Sequence, residues 1–471
     1  MAVLKVFKND SVTEIEFTGK QKLEDLLTGK ELMPDTPCGG TGKCGKCTVY
    51  IGNDKVLACQ AFVEDSAEIY IPKHQAISKI RTEGNLPDFE IAKGVTGFGA
   101  AIDIGTTTVV CRLIDLATGE MLPPVSQENP QRMLAADVIG RIQACLEKDN
   151  LPLLNGMIRD TISEMLAHVC REAGVKREEL KNIVITGNTT MLYLFSNRMP
   201  NTLAFSPFIA DCLFGFKEEE FTYPPCYGAF VGGDIYTAIN ASGMTQDMNK
   251  TSLLIDLGTN GEIAMLHDGK LICCATACGP AFEGTGIING GPASDGAIDH
   301  AWIKDGKIEV STIGDVPATH ICGSGLMDII ACLLELEIID ETGAMDEEYE
   351  LSNGVCLYPK DVRQVQLAKG AICAGILTLI GKFGIKPADV DTLYIAGGFG
   401  SYITLSSAAA IGLFPEEMEN KAKVIGNAAL TGAIMMLLGN DAQKNNRLDA
   451  DCINLAEQPE FSDLFMESMF F

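Results

Sequence analysis

Apolar and polar residues alternate over positions 3–7 and 12–17, on either side of Asn9 and Asp10, and this period of two predicts an antiparallel hairpin. Leu23, Leu26 and Leu27 recur at i, i+3 and i+4, the spacing of one face of a short helix. Residues 48–51 and 55–59 flank Gly52-Asn53-Asp54 as a second hairpin, and residues 68–72 read as a further strand. Periodicity then dissolves over 74–98, where Lys79, Arg81 and Lys93 alternate with Glu83, Asp88 and Glu90 among Gly84, Pro87, Gly94 and Gly97, a linker pattern. Beyond it, apolar runs end in Gly-rich or Thr-rich turns at 100–108, 182–190, 252–260 and 393–400, with helical stretches at 156–173, 326–336 and 368–382. Alternating strands and helices predict an α/β architecture. The repeated Asp-x-Gly-Thr at Asp103 and Asp256 predicts two similar halves. The expected organisation is a small β-rich unit over 1–73, a linker over 74–98 that lets this unit swing, and a larger α/β unit over 99–471.

Composition narrows the function classes. The chain has 471 residues, 46% hydrophobic and 21% charged, the balance of a folded protein. Its net charge of −27 repels phosphate backbones and anionic lipid, which argues against nucleic-acid and membrane-surface partners. Charges interrupt the N-terminal residues, and no run of 18 apolar residues stands out, so a cytoplasmic location is expected. Seventeen cysteines in such a chain read as reduced thiols rather than a disulfide scaffold. Four of them, Cys38, Cys44, Cys47 and Cys59, crowd one segment, while the others are scattered among apolar residues as small buried hydrophobes.

Cys38-Gly-Gly-Thr-Gly-Lys-Cys44-Gly-Lys-Cys47, followed by Cys59, has intervals of five, two and eleven residues. Four thiolates so placed can hold a [2Fe-2S] cluster, and the loop is one residue longer than the plant-type spacing. The glycines at 39, 40, 42 and 45 let the backbone wrap closely around the sulfurs. A structural zinc site is the alternative, but zinc sites favour two closely spaced Cys pairs, and only Cys44 and Cys47 form one. Hairpin, helix, cysteine loop, hairpin and strand follow the order of a β-grasp ferredoxin. Gly42-Lys43 is not a P-loop ending, because Cys44 stands where Ser or Thr is needed and Pro37 where the first Gly belongs.

Asp103-Ile-Gly105-Thr106-Thr107-Thr108 lies between two apolar strands, and such a turn offers amides and hydroxyls to phosphate oxygens while the Asp holds Mg²⁺ through water. Asp256-Leu-Gly258-Thr259-Asn260 repeats the device, and Gly397-Gly398-Phe399-Gly400 follows a third apolar strand where a purine nucleoside could be approached closely. Asp234, after two glycines, reads either as a cleft residue orienting Mg²⁺ or water, or as an ordinary helix start. Gly323, Ser324 and Gly325 open an apolar helix whose amides could meet a phosphate or ribose. Cys322 reads as a packed thiol, Cys273, Cys274 and Cys278 as core residues with a second metal site as the minor alternative, and the acidic stretch 340–350 as a solvated face or a partner-docking one. The five histidines have no ligand spacing.

The order Asp103-x-Gly-Thr-Thr, Asp256-Leu-Gly-Thr-Asn and Ala396-Gly-Gly-Phe-Gly resembles the phosphate-1, phosphate-2 and adenosine motifs of the ASKHA superfamily, which includes sugar kinases, Hsp70 and actin. With the N-terminal cysteine loop, the whole chain resembles the reductive activators of corrinoid proteins. Asn129-Pro-Gln-Arg, Asp137 to Arg141, Thr186-Gly-Asn-Thr-Thr-Met191, Val231-Gly-Gly-Asp234 and Cys322-Gly-Ser-Gly325 are further matches. The resemblance implies an ATPase, with Asp103, Asp234 and Asp256 catalytic, that drives an electron from the [2Fe-2S] cluster to a Co(II) corrinoid protein and leaves it as Co(I). It also implies ATP and Mg²⁺ as cofactors, a reduced ferredoxin or flavodoxin as donor, and a possible homodimer. Members of this family carry a longer segment between the two units than the 26 residues of 74–99. An activator of another low-potential reductase and a non-enzymatic redox-sensing module are the alternatives.

Overall fold

The computed structural model describes residues 2–8, 11–30, 32–34, 47–52, 54–71, 78–79, 91–148, 150–398, 402–439 and 448–471. Ala2–Lys8 pairs antiparallel with Ser11–Phe17, as the alternation requires, and turns Leu4, Val6, Ile15 and Phe17 into a small core. Helix α1 (Leu23–Thr28) adds Leu23 and Leu27 to that core. Ala67–Ile71 lies parallel to Ala2–Lys8, Thr48–Ile51 pairs with Ala67–Ile71, and Asp54–Leu57 closes the five-stranded sheet.

The larger unit contains two sheets that share one plan. In the first, Phe98–Ile104 runs antiparallel to Thr108–Asp115 and parallel to Leu180–Gly187. In the second, Ser252–Leu257 runs antiparallel to Gly261–His267 and parallel to Thr392–Ala396. The first carries α2 (Val138–Lys148), α3 (Leu151–Ala173), α4 (Thr189–Phe195) and α5 (Asn201–Ala204). The rest of the chain supplies α6 (Gly233–Ser242), α7 (Gly323–Glu335), α8 (Pro359–Phe383), α9 (Leu405–Ala410), α10 (Ala428–Leu438) and α11 (Phe461–Glu467). Helix α8 is long and apolar enough to cross a membrane, but 72% of its most apolar stretch is buried in the fold, the signature of a core helix.

Helices α6 and α10 lie between the two sheets. Ile235, Ala238 and Ile239 of α6 pack with Leu254 and Ala264 of the second sheet, whereas Leu430, Ala433 and Leu437 of α10 pack with Ala101, Val110 and Val184 of the first. The two helices touch at backbone distance, because a Cβ on Gly432 would lie 1.9 Å from the Thr237 carbonyl oxygen.

The expected linker is partly structured. Ser78–Lys79 adds an edge strand to the first sheet beside Val125 and Ser126, and the Ala92 amide donates to the Leu438 carbonyl at 2.8 Å. A two-residue strand has no periodicity through which sequence could announce it. The small unit, expected to swing, is seated on α3: Tyr50 and Tyr70 pack with Leu153 and Met157, and Asp160 accepts both Tyr50 Oη and Lys55 Nζ at 2.7 Å.

Candidate active-site cleft

Each Asp-x-Gly-Thr segment forms a tight turn between paired strands, and the surrounding bonds fix its shape. In the first turn the Gly105 amide donates to the Thr108 carbonyl at 2.9 Å, and a Cβ on Gly105 would lie 2.6 Å from that same oxygen, so no side chain fits. Asn129 Nδ2 donates to the Gly105 carbonyl at 2.8 Å, the Asn129 amide to the Thr107 carbonyl at 2.8 Å, and Arg141 Nη2 to the Thr106 carbonyl at 2.6 Å. The turn's carbonyl oxygens are therefore drawn into the protein. Asn188 Nδ2 adds a bond to the Thr106 hydroxyl at 3.1 Å. Arg141 is fully buried, and burial together with nearby Arg132 lowers its pKa to about 9. Its remaining donors reach Ala135 O at 3.1 Å, Gln131 Oε1 at 3.2 Å and Met191 Sδ at 3.0 Å.

The second turn closes through the Gly258 amide on the Asn260 carbonyl at 3.1 Å. Its Thr259 faces Thr107 across the cleft, hydroxyl to hydroxyl at 3.2 Å. Glu283, a residue in no recognised motif, spans the pair: Thr107 Oγ1 donates to Oε2 and Thr259 Oγ1 to Oε1, each at 2.8 Å. Gly397, at φ 117°, adopts a conformation that favours glycine, and a Cβ there would stand 2.3 Å from the Leu257 carbonyl oxygen, which brings the third glycine-rich segment directly against the second turn. Gly398 is exposed, and Phe399 lies outside the described residues.

Four carboxylates converge behind these turns. Asp103 and Asp256 end the central strands, Asp234 sits in the first turn of α6, and Glu262 projects from the strand returning from Asp256. The three aspartates are partly buried, and Glu262 is buried. Burial raises Asp103 to about 6, against the opposing bond from Asn427 Nδ2 at 3.0 Å. Burial and then Asp103 raise Asp256 to about 7. Burial, then Asp256 and Asp103, raise Asp234 to about 8, and Glu262 is pushed well up by burial and by Asp234 and Asp256. Such mutual repulsion is relieved by a nearby cation, and carboxylate oxygens too far apart to grip one ion directly suit a hydrated Mg²⁺. Asp234 is not the helix cap, since Gly232 holds that position; it lies inside the first turn, where Oδ1 accepts the Ile235 amide at 2.8 Å, and close enough to Asp256 and Asp103 to feel their charges.

Gly323 and Gly325 have packing reasons of their own, since a Cβ would fall 1.9 Å from the Phe282 carbonyl oxygen and 2.2 Å from that of Ile298. Gly323, Ser324 and Gly325 are all buried at the start of α7. Cys322 caps this helix as a buried thiol donating to the Ile298 carbonyl at 3.3 Å. Cys273, Cys274 and Cys278 are buried in the second sheet region, and among the described residues no group of three or more His, Cys, Asp or Glu, the four carboxylates of the cleft included, is placed to hold a metal ion directly.

In the small unit Cys47 and Cys59 are buried side by side, the Cys47 thiol donating to the Cys59 sulfur at 3.2 Å, and burial raises the Cys47 thiol. Cys38 and Cys44 lie outside the described residues.

Sequence reasoning missed Glu262, Glu283, Asn427 and the Tyr50–Lys55–Asp160 contact. Only Glu262 carried a signal: six positions after Asp256, it directly opposes that residue in the hairpin register.

Comparison with known proteins gives a consistent picture. Residues 98–247 match the family described as the RACo middle region, and residues 250–471 the family described as the C-terminal domain of RACo, the ASKHA domain. The corrinoid activation enzyme RamQ of Eubacterium limosum is 31% identical over 97% of each chain. The [Co(II) methylated amine-specific corrinoid protein] reductase of Methanosarcina barkeri is 26% identical over 78% of this chain and 74% of its own. A solved structure of a reductive activator for corrinoid, iron-sulfur protein superposes with a TM-score of 0.73 at 26% identity, covering 100% of this chain and 98% of the other.

Proposed function

The chain belongs to the family of corrinoid activation enzymes, and from that premise we propose that it uses ATP hydrolysis to reduce an inactive Co(II) corrinoid protein to Co(I), with the electron passing through a [2Fe-2S] cluster on Cys38, Cys44, Cys47 and Cys59. The observation that carries this reading is the meeting of Thr107 and Thr259, on turns from opposite halves, in front of the Asp103, Asp234 and Asp256 carboxylates. The two turns would bind the phosphates of ATP through Gly105 to Thr108 and through Gly258 to Asn260, and the three aspartates would hold a phosphate-bound Mg²⁺ through water. The cluster, when bound, supplies one electron at low potential.

Energy from ATP can reach an electron-transfer step only through differences in what each nucleotide state binds. Here the cleft joins two halves, so nucleotide contacts to both turns favour one relative arrangement of the halves over another, and a partner that contacts both halves reads that arrangement. A one-electron donor of the reduced ferredoxin or flavodoxin type and a cytoplasmic setting complete the reading.

The test is anaerobic. Purified protein should carry about two irons per chain and show a [2Fe-2S] signal on reduction. With a cognate corrinoid protein and an electron donor, the Co(I) absorbance band should grow with ATP and not with a non-hydrolysable analogue. Equal reduction without nucleotide overturns the proposal, and zinc in place of iron overturns the cluster.

A further inference from the structure

Glu283 is placed with unusual care for a residue that belongs to no phosphate-binding motif. It ends the short helical turn Ala281–Glu283, which the Gly284 amide closes on the Ala281 carbonyl at 3.0 Å, and its neighbour Phe282 is buried against the start of α7. The backbone is thereby fixed, and the side chain reaches into the cleft to take one hydroxyl from each half. A threonine hydroxyl has a single proton to give. Thr107 and Thr259 both give theirs to Glu283, so neither can donate to a phosphate while that pairing lasts.

Two hydroxyl donors, 3.2 Å apart, directed at the two oxygens of one carboxylate are also suited to two oxygens of one phosphoryl group. We propose that Glu283 occupies the seat of a nucleotide phosphoryl group between Thr107 and Thr259, and that nucleotide binding has to displace its carboxylate. This inference rests on the reading of the two turns as a nucleotide site. Its consequence is specific. A tethered anion competes with the nucleotide for the same donors and repels its phosphates. The seat keeps the two halves joined until ATP takes over the joint, so the affinity for nucleotide is set partly by a side chain that the nucleotide never needs.

The experiment measures equilibrium binding of ADP and of a non-hydrolysable ATP analogue, with Mg²⁺, to the full chain and to Glu283→Gln, Glu283→Ala and Asp103→Asn. Removal of the competing anion should tighten binding by roughly tenfold to a hundredfold in both Glu283 variants, the size expected from freeing charge-assisted hydrogen bonds. A residue that merely supported the fold would weaken binding when removed. Asp103→Asn should weaken it because the site itself is damaged. Unchanged or weaker binding by both Glu283 variants, with Asp103→Asn impaired, overturns the inference and leaves the nucleotide site standing. Absence of binding by the unaltered protein and by both Glu283 variants alike overturns both. Glu283→Gln is close to isosteric, so the test survives if the alanine variant does not fold.

Discussion

Asp234→Asn should make this protein more stable at alkaline pH. The amide keeps the shape of the carboxylate and can still accept the Ile235 amide, but it removes one charge from a pocket where Asp103 and Asp256 already repel it. A carboxyl whose pKa folding raises contributes stability below its unfolded value, near 3.8, and loses it as pH rises through the folded value. Asp103, Asp256 and Asp234 rise to about 6, 7 and 8, so the loss should fall mainly between pH 5 and 8. A tenfold change in proton affinity is worth about 1.4 kcal/mol, and the rise of Asp256 alone would correspond to about 4 kcal/mol. The three groups titrate together and are only partly buried, so removing one charge should return about 1–3 kcal/mol. In chelator-treated protein this would appear as unfolding several degrees higher than wild type at pH 8.5, with little difference at pH 5. Added Mg²⁺ should raise the wild type at pH 8.5 more than the variant. A wild-type melting temperature that is flat from pH 5 to 8.5, together with a variant no more stable than wild type at pH 8.5, would refute the argument that these carboxylates repel one another.

Other consequences can be checked separately. Asp103→Ala and Asp256→Ala should each remove most ATP hydrolysis, measured as phosphate release, without changing the visible spectrum, since the small unit is untouched. Arg141→Lys should lower the melting temperature and nucleotide affinity together, because a single ammonium cannot serve the carbonyls of Thr106 and Ala135 with the planar fork of a guanidinium, and each orphaned acceptor costs about 1–3 kcal/mol; a variant with unaltered hydrogen exchange at 104–108 would contradict this. Asp160→Ala should free the small unit from α3, seen as faster proteolysis between residues 72 and 98, whereas a cleavage rate equal to wild type would show that the Tyr50 and Lys55 contacts do not hold it.

The strands that carry Asp103 and Asp256 were legible because each is a continuous apolar run ending in a turn of Gly and hydroxyl residues, and the run and the turn are both local properties. The first hairpin was legible for a similar reason, its period of two matching the burial of Leu4, Val6, Ile15 and Phe17. What escaped is what depends on distant segments meeting. Asn427 reaches Asp103 across 324 positions and Glu283 reaches Thr107 across 176, and neither residue lies in a pattern that would mark it. Gly323 and Gly325 show the reverse difficulty: their type suggests a ligand nearby, yet the carbonyls of Phe282 and Ile298 already exclude any side chain. The seat of the small unit on α3 was invisible because Tyr50 and Tyr70 read as ordinary strand residues until a second surface covers them.

The contact between Gly432 and Thr237 gives the cleft its mechanics. Helices α6 and α10 press together at that point between the two sheets, α10 on the first and α6 on the second with a further bond from Thr237 to Thr186 of the first, so a change in the angle between halves would have to be taken up at this contact. Helix α6 brings Asp234 in its first turn, and α10 begins at Asn427, which grips Asp103. The contact and the carboxylates are thus carried by the same two helices, so a rotation of the halves would alter the spacing of Asp234 and Asp103. A change in the spacing of those carboxylates would therefore be felt at this contact and, through the first half, by α3 and the small unit seated on it.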